Sequence, residues 1–249
     1  MVTAARRAAP PGPLVRALVA LAGTVWPVSC PGCGRVDVAV CPPCRRALLG
    51  PAPLVAAPAA AGLPVRAAAA YDGPARRLLL AWKERGRHDL APLLADALRR
   101  AGSPAVGQRP SGGPPLALVP LPSRAGAVRA RGGDLVADLA RRWARVLRAC
   151  GVAAGVAPVL ALRAGAGDQV GRSASARAAA RAGAVRLVGR PPPVCLLVDD
   201  VVTTGSTLAA AAAVLARRGS DVRGGVVVLA TPPPRRRTTS TLGTHRQIE

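Results

Sequence analysis

Aromatic residues are nearly absent from this 249-residue chain: it has no phenylalanine, three tryptophans and one tyrosine, together 2% of the sequence. Proteins that bind single-stranded nucleic acid usually stack bases on aromatic side chains, so the composition disfavours base recognition. Acidic residues are also scarce, because 12 Asp and Glu stand against 35 Lys and Arg, which leaves a formal net charge of +23. A field of this sign attracts polyanions, so contact with a phosphate backbone remains compatible with the composition.

Two further absences exclude classes of protein. No run of about 18 residues is free of both charge and proline, so we expect no transmembrane helix. The sequence has no G-x-x-x-x-G-K-[ST] motif, which excludes the common nucleotide-phosphate loop. Residues 14–26 are apolar but contain Arg16, and we expect a short helix there, packed on the cysteine-rich segment that follows, rather than a signal peptide.

The most informative stretch joins an apolar run to a turn rich in hydroxyl groups. Residues 194–198 are apolar throughout, as in a parallel strand that is covered on both faces. Asp199 and Asp200 follow, and residues 208–218 predict an alanine-rich helix. The turn between the acids and the helix contains Thr203, Thr204, Gly205, Ser206 and Thr207. This order predicts a buried strand that leads through a loop to a helix N-terminus.

The loop has the chemistry of a monophosphate site. Gly205 allows a sharp turn and a close backbone approach to a ligand. The unpaired amides and the dipole of a helix N-terminus favour an anion, and four hydroxyl groups add donors. Asp199 and Asp200 can accept hydrogen bonds from a ribose diol and tolerate a nearby Mg²⁺. The alternative is a plain strand–turn–helix junction with two solvated acids, although capping needs only one hydroxyl residue.

Residues 198–207 resemble the signature of the type I phosphoribosyltransferases, which use phosphoribosyl pyrophosphate (PRPP). The resemblance implies that Asp199 and Asp200 contact the ribose hydroxyls and that the loop backbone holds the 5′-phosphate. In the hypoxanthine-type salvage enzymes, an aspartate that handles a base proton stands at the position of Thr203. Threonine has no useful pKa for this task, which argues against that substrate class.

Four of the six cysteines form two C-x-x-C pairs, Cys30 with Cys33 and Cys41 with Cys44. This spacing lets both sulfurs of a pair reach one tetrahedral ion, and we predict a structural Zn²⁺ with four protein ligands and no open catalytic position. Such pairs fit a reducing cytoplasm. A redox dithiol pair or disulfides, and an iron–sulfur cluster, are the alternatives.

Basic residues supply the remaining candidates. Lys83 is the only lysine, within a predicted helix over residues 75–85, and it fits a site that needs a compact ammonium, although chance explains it equally. Residues 116–120 predict a second strand, which a loop with Arg124, Arg129 and Arg131 follows. Guanidinium groups match phosphate oxygens, so this loop is a candidate pyrophosphate cradle, with a solvated basic loop as the alternative.

Other segments carry weaker signals. Residues 134–148 predict an amphipathic helix whose inner face includes Val146, and Cys150 and Cys195 are expected as small apolar core residues. Residues 50–64 and 102–115 are rich in Pro, Gly and Ala and are expected as linkers or loops. Residues 162–185 suit a mobile loop that closes over a phosphorylated ligand. Its polar residues include Gln169, Arg172, Ser173, Arg177 and Arg181.

The order of these features over residues 14–230 resembles the ComF family, phosphoribosyltransferase-like proteins linked to DNA uptake in natural competence. The residues that carry the resemblance are Trp26-Pro27 before the cysteines, Tyr71, Gly73, Lys83, Gly86, residues 119–122, Arg131-Gly132, Gln169, Arg177 and the Asp199-Asp200 loop. Gly133, Asp134 and Leu135 stand where the family tends to have an aromatic, an asparagine and a glutamine. Ala180 and Val185 replace a usual asparagine and phenylalanine, so groups that could recognise an acceptor base are fewer.

We therefore expect an α/β fold with a mostly parallel sheet flanked by helices, similar to the type I phosphoribosyltransferases, and a small four-cysteine zinc module. The expected boundaries are 1–13 disordered, 14–50 helix and zinc module, 65–231 phosphoribosyltransferase-like domain and 232–249 disordered basic tail. The predicted function is binding of PRPP or another 5′-phosphoribosyl compound with Mg²⁺, with pentosyl transfer, in the cytoplasm. The alternative is a non-catalytic nucleotide sensor or scaffold that binds single-stranded DNA or protein partners in DNA uptake.

Overall fold

The computed structural model of the chain describes residues 28–50, 57–60, 62–107, 113–163 and 185–232. The helices in these ranges are α1 (Pro42–Leu48), α2 (Gly73–Glu84), α3 (Ala91–Gly107), α4 (Ala125–Ala130), α5 (Leu135–Ala149) and α6 (Ser206–Ala216). The strands are β1 (Val65–Ala70), β2 (Leu116–Pro120), β3 (Ala154–Val156), β4 (Leu160–Leu162), β5 (Val185–Leu187), β6 (Val194–Val202) and β7 (Asp221–Ala230). Short 3₁₀ turns lie at Pro58–Ala60 and His88–Leu90.

Five strands form one sheet in the order β1-β7-β6-β2-β3, and every neighbouring pair is parallel. β4 and β5 form a separate antiparallel pair. The expected α/β fold with a mostly parallel sheet is therefore confirmed. The chain proceeds outward from β2 to β3 and in the opposite direction from β6 to β7. The carboxyl ends of β2 and β6 thus flank the point where the strand order reverses, which is where open α/β sheets bind ligands.

Helices cover both faces of the sheet, as a fully parallel sheet requires. α2, α3 and α5 pack on one face, together with three of the four paired cysteines and Leu48. α6 and the β4–β5 pair pack on the other face. Along β6, Leu196 and Val198 point into the first core while Cys195 and Leu197 point into the second. The apolar run that predicted this strand is thus explained by burial on both sides.

The predicted elements around the site are confirmed with shifted ends. The predicted strand over 116–120 coincides with β2, and the helix expected over 75–85 corresponds to α2. β6 extends to Val202, because β7 continues to pair with it as far as Ala230. The two carboxylates therefore lie within the strand rather than after it. α6 begins at Ser206, two residues before the expected start of the helix at 208.

The expectation of a linker over residues 102–115 is wrong for its first part, because α3 continues to Gly107. The glycine at 102 serves packing rather than flexibility. A Cβ built on Gly102 would overlap the ring of Trp143 on α5. Because Gly102 has no side chain, the indole ring of Trp143 fits between α3 and α5. The composition of residues 102–115 does not reveal this contact.

Two predicted core residues are on the surface. Val146 is 42% exposed, although helical periodicity assigned it to the inner face of α5. Cys150 is also exposed, since α5 ends at Ala149 and the chain turns there, whereas Cys195 is fully buried as expected. Periodicity places a residue on a helix side but does not determine how far the neighbouring helix reaches around that side.

Several sequence predictions lie outside the described residues. These are the N-terminal segment with its helix over 14–26 and Trp26, the basic tail beyond residue 232, and the loop residues Gln169, Arg172, Ser173, Arg177, Ala180 and Arg181. Among the residues that are described, no helix is both long and apolar enough to cross a membrane.

Candidate functional site

A cleft of about 350 Å³ opens at the carboxyl ends of β2 and β6. It brings together seven of the residues that the sequence singled out: Lys83, Arg124, Arg131, Asp199, Asp200, Thr203 and Thr207. These residues come from three separate parts of the chain, namely α2, the segment after β2, and the segment from β6 into α6. The cleft therefore lies where the reversal of strand order predicts a ligand site.

A smaller pocket of about 40 Å³ adjoins the cleft and is formed by the hydroxyl-rich loop. Thr203, Thr204, Gly205, Ser206 and Thr207 all line it, together with Asp199. Thr204 Oγ1 lies 2.8 Å from Ser206 Oγ and accepts a weak hydrogen bond of 3.4 Å from the Ser206 amide. α6 starts here without a side-chain cap, so its first turn keeps donors that are free for an anion.

Gly205 is required by the conformation of this loop, as the sharp turn expected from the sequence implies. Its φ of +84° lies in the left-handed region. A Cβ built on it would lie 2.8 Å from Ala57 Cβ and 3.1 Å from Ala60 Cβ. The Ala59 amide also donates to the Thr204 carbonyl oxygen at 3.0 Å. The protein's own chain therefore also approaches Gly205 closely, and the approach of a ligand to this backbone stays a prediction.

Asp199 and Asp200 occupy successive positions of β6 and have different surroundings. Asp200 is only 7% exposed and forms an ion pair with Lys83 of α2. The Asp200 amide donates to Asp199 Oδ1 at 2.8 Å. Burial, followed by the charge of Asp200, raises the pKa of Asp199 well above its ordinary value, although that amide and Lys83 oppose the change. A cation or a hydroxyl donor in the cleft would relieve this cost.

The two cleft arginines flank the short helix α4. Arg124 precedes its first turn and Arg131 follows its last, and both line the cleft. Within the described ranges, neither guanidinium belongs to an ion pair. Arg129, the third arginine of this loop, does not line the cleft. Two positive groups are therefore available to a phosphate or pyrophosphate group.

The four paired cysteines are positioned to bind a metal ion, as the sequence predicted. Their Sγ atoms all lie within 4.8 Å of one another, with Cys41 Sγ at 3.7 Å from Cys30 Sγ and 3.5 Å from Cys33 Sγ. Thiolates around a tetrahedral Zn²⁺ with bonds of about 2.3 Å would be about 3.8 Å apart. The donor set and its size thus fit a structural zinc ion.

Backbone geometry supports the first cysteine pair. The Cys41 amide donates to Cys30 Sγ at 3.4 Å. Although burial acts in the opposite direction, hydrogen bonds from the amides of Cys41, Gly32 and Cys33 lower the pKa of Cys30 to about 6. Amides directed at sulfur stabilise a thiolate, the form that binds metal.

The position of the second cysteine pair at the start of α1 accounts for the two prolines between its cysteines. Pro42 and Pro43 follow Cys41 as the first two residues of α1. Proline has no amide hydrogen, but the first amides of a helix have no intrahelical partner in any case, so nothing is lost at these positions. Gly32 faces this pair, and a Cβ built on it would lie 2.6 Å from Cys44 Sγ. Packing of the two pairs against each other therefore requires glycine at 32.

Sequence reasoning missed three features of the site. Leu162 of β4 lines the cleft. The sequence gives no sign of this, because only hydroxyl, acidic and basic side chains indicate a phosphate or ribose site. Ala57 and Ala60 pack behind Gly205, within a segment whose composition indicates only a linker or loop. Lys83 and Asp200 were separate candidates whose ion pair nothing in the sequence indicated.

Comparison of the chain with models of known protein families and with curated proteins gave no match. The functional argument consequently depends on the site itself.

Proposed function

We propose that this protein binds PRPP, or a related 5′-phosphoribosyl compound, with Mg²⁺, as a type I phosphoribosyltransferase-like protein. The observation that supports the proposal is the cleft, in which a carboxylate pair, a hydroxyl-rich helix N-terminus and two arginines adjoin one another. A phosphoribosyl ligand presents one complementary group for each of these parts, namely a diol for the carboxylates, a terminal phosphate for the helix N-terminus and a pyrophosphate for the arginines. The resemblance to the ComF family leads us to include a role in DNA uptake in the proposal.

Each part of the cleft has a role in this proposal. The pocket formed by residues 203–207 holds the 5′-phosphate. Asp199 and Asp200 accept hydrogen bonds from the ribose hydroxyls and belong to the shell of Mg²⁺, a hard cation that prefers oxygen ligands. Asp200 can use one carboxylate oxygen for Lys83 and the other for the ligand. Arg124 and Arg131 contact the pyrophosphate.

We further propose pentosyl transfer as the reaction. A nucleophile forms a bond to C1 of the ribose while the bond between C1 and the pyrophosphate oxygen breaks, and the electron pair leaves with the pyrophosphate. Arg124 and Arg131 stabilise the charge that develops on the leaving group, which is an electrostatic task for preorganised donors. Thr203 cannot serve as a general base, so the acceptor differs in kind from that of the hypoxanthine-type enzymes.

Calorimetric titration of PRPP with Mg²⁺ tests the binding proposal. We expect micromolar binding to the wild-type protein and its loss in the Asp199→Asn/Asp200→Asn double variant, since both diol acceptors are weakened together. Asp138→Asn is the matched control, because it removes a carboxylate on α5 that pairs with Arg142 away from the cleft. Absence of saturable binding to folded wild type, or equal binding to the double variant, would contradict the proposal.

A further inference from the structure

The four-cysteine module (residues 28–50) touches the helix that carries Lys83. Arg77 on α2 donates from Nε to the carbonyl oxygen of Gly32 at 2.6 Å. Gly32 lies between Cys30 and Cys33, the first cysteine pair. A side chain of α2 is therefore bonded to the backbone of the loop whose sulfurs are positioned to bind a metal ion.

Apolar packing joins the same two parts. Cys30, Cys41 and Cys44 belong to one continuous core with Leu78 and Trp82 of α2. Pro74 in the first turn of α2 also lies 3.5 Å from the position that a Cβ at Gly32 would occupy. The module thus meets α2 in its first turn and at Arg77, and it shares one core with the apolar side of this helix.

A second arginine anchors the chain just after α2. Arg87 forms a two-pronged ion pair with Asp89, with both nitrogen–oxygen distances at 2.8 Å. Its guanidinium also donates to the carbonyl oxygens of Ser29 at 3.3 Å and Ala39 at 3.4 Å. These oxygens belong to the two sides of the loop that holds the cysteines. Arg77 within α2 and Arg87 three residues after its end are therefore both bonded to backbone carbonyl groups of the module.

Lys83 lies at the other end of this connection. It is six positions beyond Arg77, about 9 Å further along the helix axis. It immediately follows the buried Trp82, and its ammonium pairs with Asp200 inside the cleft. The position of the ammonium is set by α2, and the position of α2 is set in part by the module.

We propose that the metal-loaded module positions Lys83 against Asp200 through Arg77 and α2, so that metal occupancy controls the affinity of the cleft for its phosphoribosyl ligand. Arg77 is a positioning residue in this scheme, because it acts through Lys83 and does not line the cleft. The ligand part of the inference depends on the function proposed above. The coupling of the module to Lys83 does not depend on it and can be measured separately.

The single lysine of the chain makes a direct measurement possible. Protein labelled with ¹⁵N-lysine gives one side-chain ammonium signal, that of Lys83, and the Asp200→Asn variant defines its position when the ion pair is absent. We expect removal of metal from the wild type by 1,10-phenanthroline to move the signal toward that reference. The zinc-loaded Arg77→Ala variant should show the same change.

Arg76→Ala is the matched control, since Arg76 is the neighbouring arginine on α2 and its guanidinium stacks over Tyr71 at 5.4 Å instead of contacting the module. It should leave the Lys83 signal unchanged. Circular dichroism identifies any sample that has unfolded, and the wild type with and without metal supplies the comparison if Arg77→Ala does not fold. An unchanged signal in folded, metal-free protein would overturn the proposal.

The ligand part is tested by PRPP titration in a double-mutant cycle. We expect Arg77→Ala to lower PRPP affinity several-fold in the wild-type background and to have little further effect in a Lys83→Met background. Equal losses in both backgrounds would show that Arg77 does not act through Lys83. If PRPP does not bind the wild type at all, the proposed function fails, while the Lys83 signal still decides whether the module positions that residue.

Discussion

Gly205 and Gly219 have the same backbone conformation, with φ at +84° in both, but different surroundings. Nothing lies within 4 Å of a Cβ built on Gly219, whereas one on Gly205 would meet Ala57 and Ala60. Gly219 thus requires glycine for its torsion angle alone. Gly205 requires it for torsion and for space, because Ala57 and Ala60 pack against the candidate phosphate loop.

The pair of glycines gives a prediction with an internal reference. Gly219→Ala should lower the free energy of unfolding by about 1–2 kcal/mol through backbone strain. Gly205→Ala should cost about 1–3 kcal/mol more, since the added methyl group displaces Ala57. Urea unfolding of both variants measures the difference. Equal losses would show that residues 57–60 do not constrain the loop.

The charged form of the Asp199 carboxylate is destabilised in the folded protein relative to the unfolded chain. Burial and the charge of Asp200 raise its pKa in the folded state. The folded protein therefore binds this proton more tightly than the unfolded chain does, and stability falls as the pH rises from the unfolded pKa, about 3.9, through the higher folded pKa. Residues arranged for binding often lower stability in this way.

Asp199→Asn should accordingly gain stability relative to the wild type as the pH rises through that window. At pH 3 the two proteins should differ least, and at pH 7 the variant should melt higher, by roughly 2–4 °C for each kcal/mol recovered. Thermal unfolding at a series of pH values gives the difference curve. Asp138→Asn serves as the reference for removal of a carboxylate elsewhere, and a flat difference curve for Asp199→Asn would refute the argument.

Among the helices, the contact between α3 and α5 depends on a residue that disfavours helix formation. Gly102 lies within α3, where alanine would be preferred by about 1 kcal/mol on intrinsic propensity. Trp143 of α5 takes the space next to it. Packing of one helix on the other has therefore overridden local preference at this position.

Gly102→Ala should destabilise the protein by about 1–3 kcal/mol despite the better propensity, because the methyl group overlaps the indole ring. Combination with Trp143→Leu should remove much of that penalty, so that the two changes are strongly non-additive in chemical denaturation. Additive effects, or a stabilising Gly102→Ala, would mean that the two helices adjust without cost.

In the part of the chain that the structure describes, the cysteine module shares its core with the main sheet and helices. Cys30, Cys41, Cys44 and Leu48 are buried together with Leu78 and Trp82 of α2 in the core on one face of the sheet. A module whose apolar side is shared in this way cannot open without exposing part of the main core. Metal binding should therefore be linked to the stability of the entire fold.

We expect one cooperative unfolding transition for the zinc-loaded protein, and a chelator should move that transition to lower temperature as a whole. Cys44→Ser, which removes a buried ligand, should have a similar effect without a chelator. Calorimetry distinguishes this from independent unfolding. Two transitions, of which the later one is insensitive to the chelator, would contradict the shared core.

The distribution of positive charge is also a property of the whole molecule, and it bears on the alternative function, which is binding of DNA or partner proteins. α5 carries Arg141, Arg145 and Arg148 on its exposed side, at spacings that place them along one stripe of the helix. Binding of DNA or of partner proteins stays a prediction. It would be recognised by a strong decrease of affinity with salt and by its persistence in the Asp199→Asn/Asp200→Asn variant.

Much of the local structure followed from the sequence. The apolar run before Asp199 predicted β6 because a strand that is covered on both faces has no polar positions, and the C-x-x-C spacing predicted the sulfur cluster because two intervening residues form one turn. The hydroxyl-rich loop at the start of α6 was likewise predicted from residues adjacent in the chain. Each of these signals is contained within about a dozen residues, the range over which periodicity and turn chemistry operate.

Only the tertiary structure decided how these pieces meet. The strand order that brings Arg124 and Asp199 into one cleft, the pairing of Lys83 with Asp200 and the fit of Gly102 against Trp143 all join residues that are distant in the chain. Val146 and Cys150 were misplaced for the same reason, because exposure depends on neighbours that come from other elements. Local sequence determines which conformations a segment favours, whereas contacts between distant segments depend on packing of the complete chain.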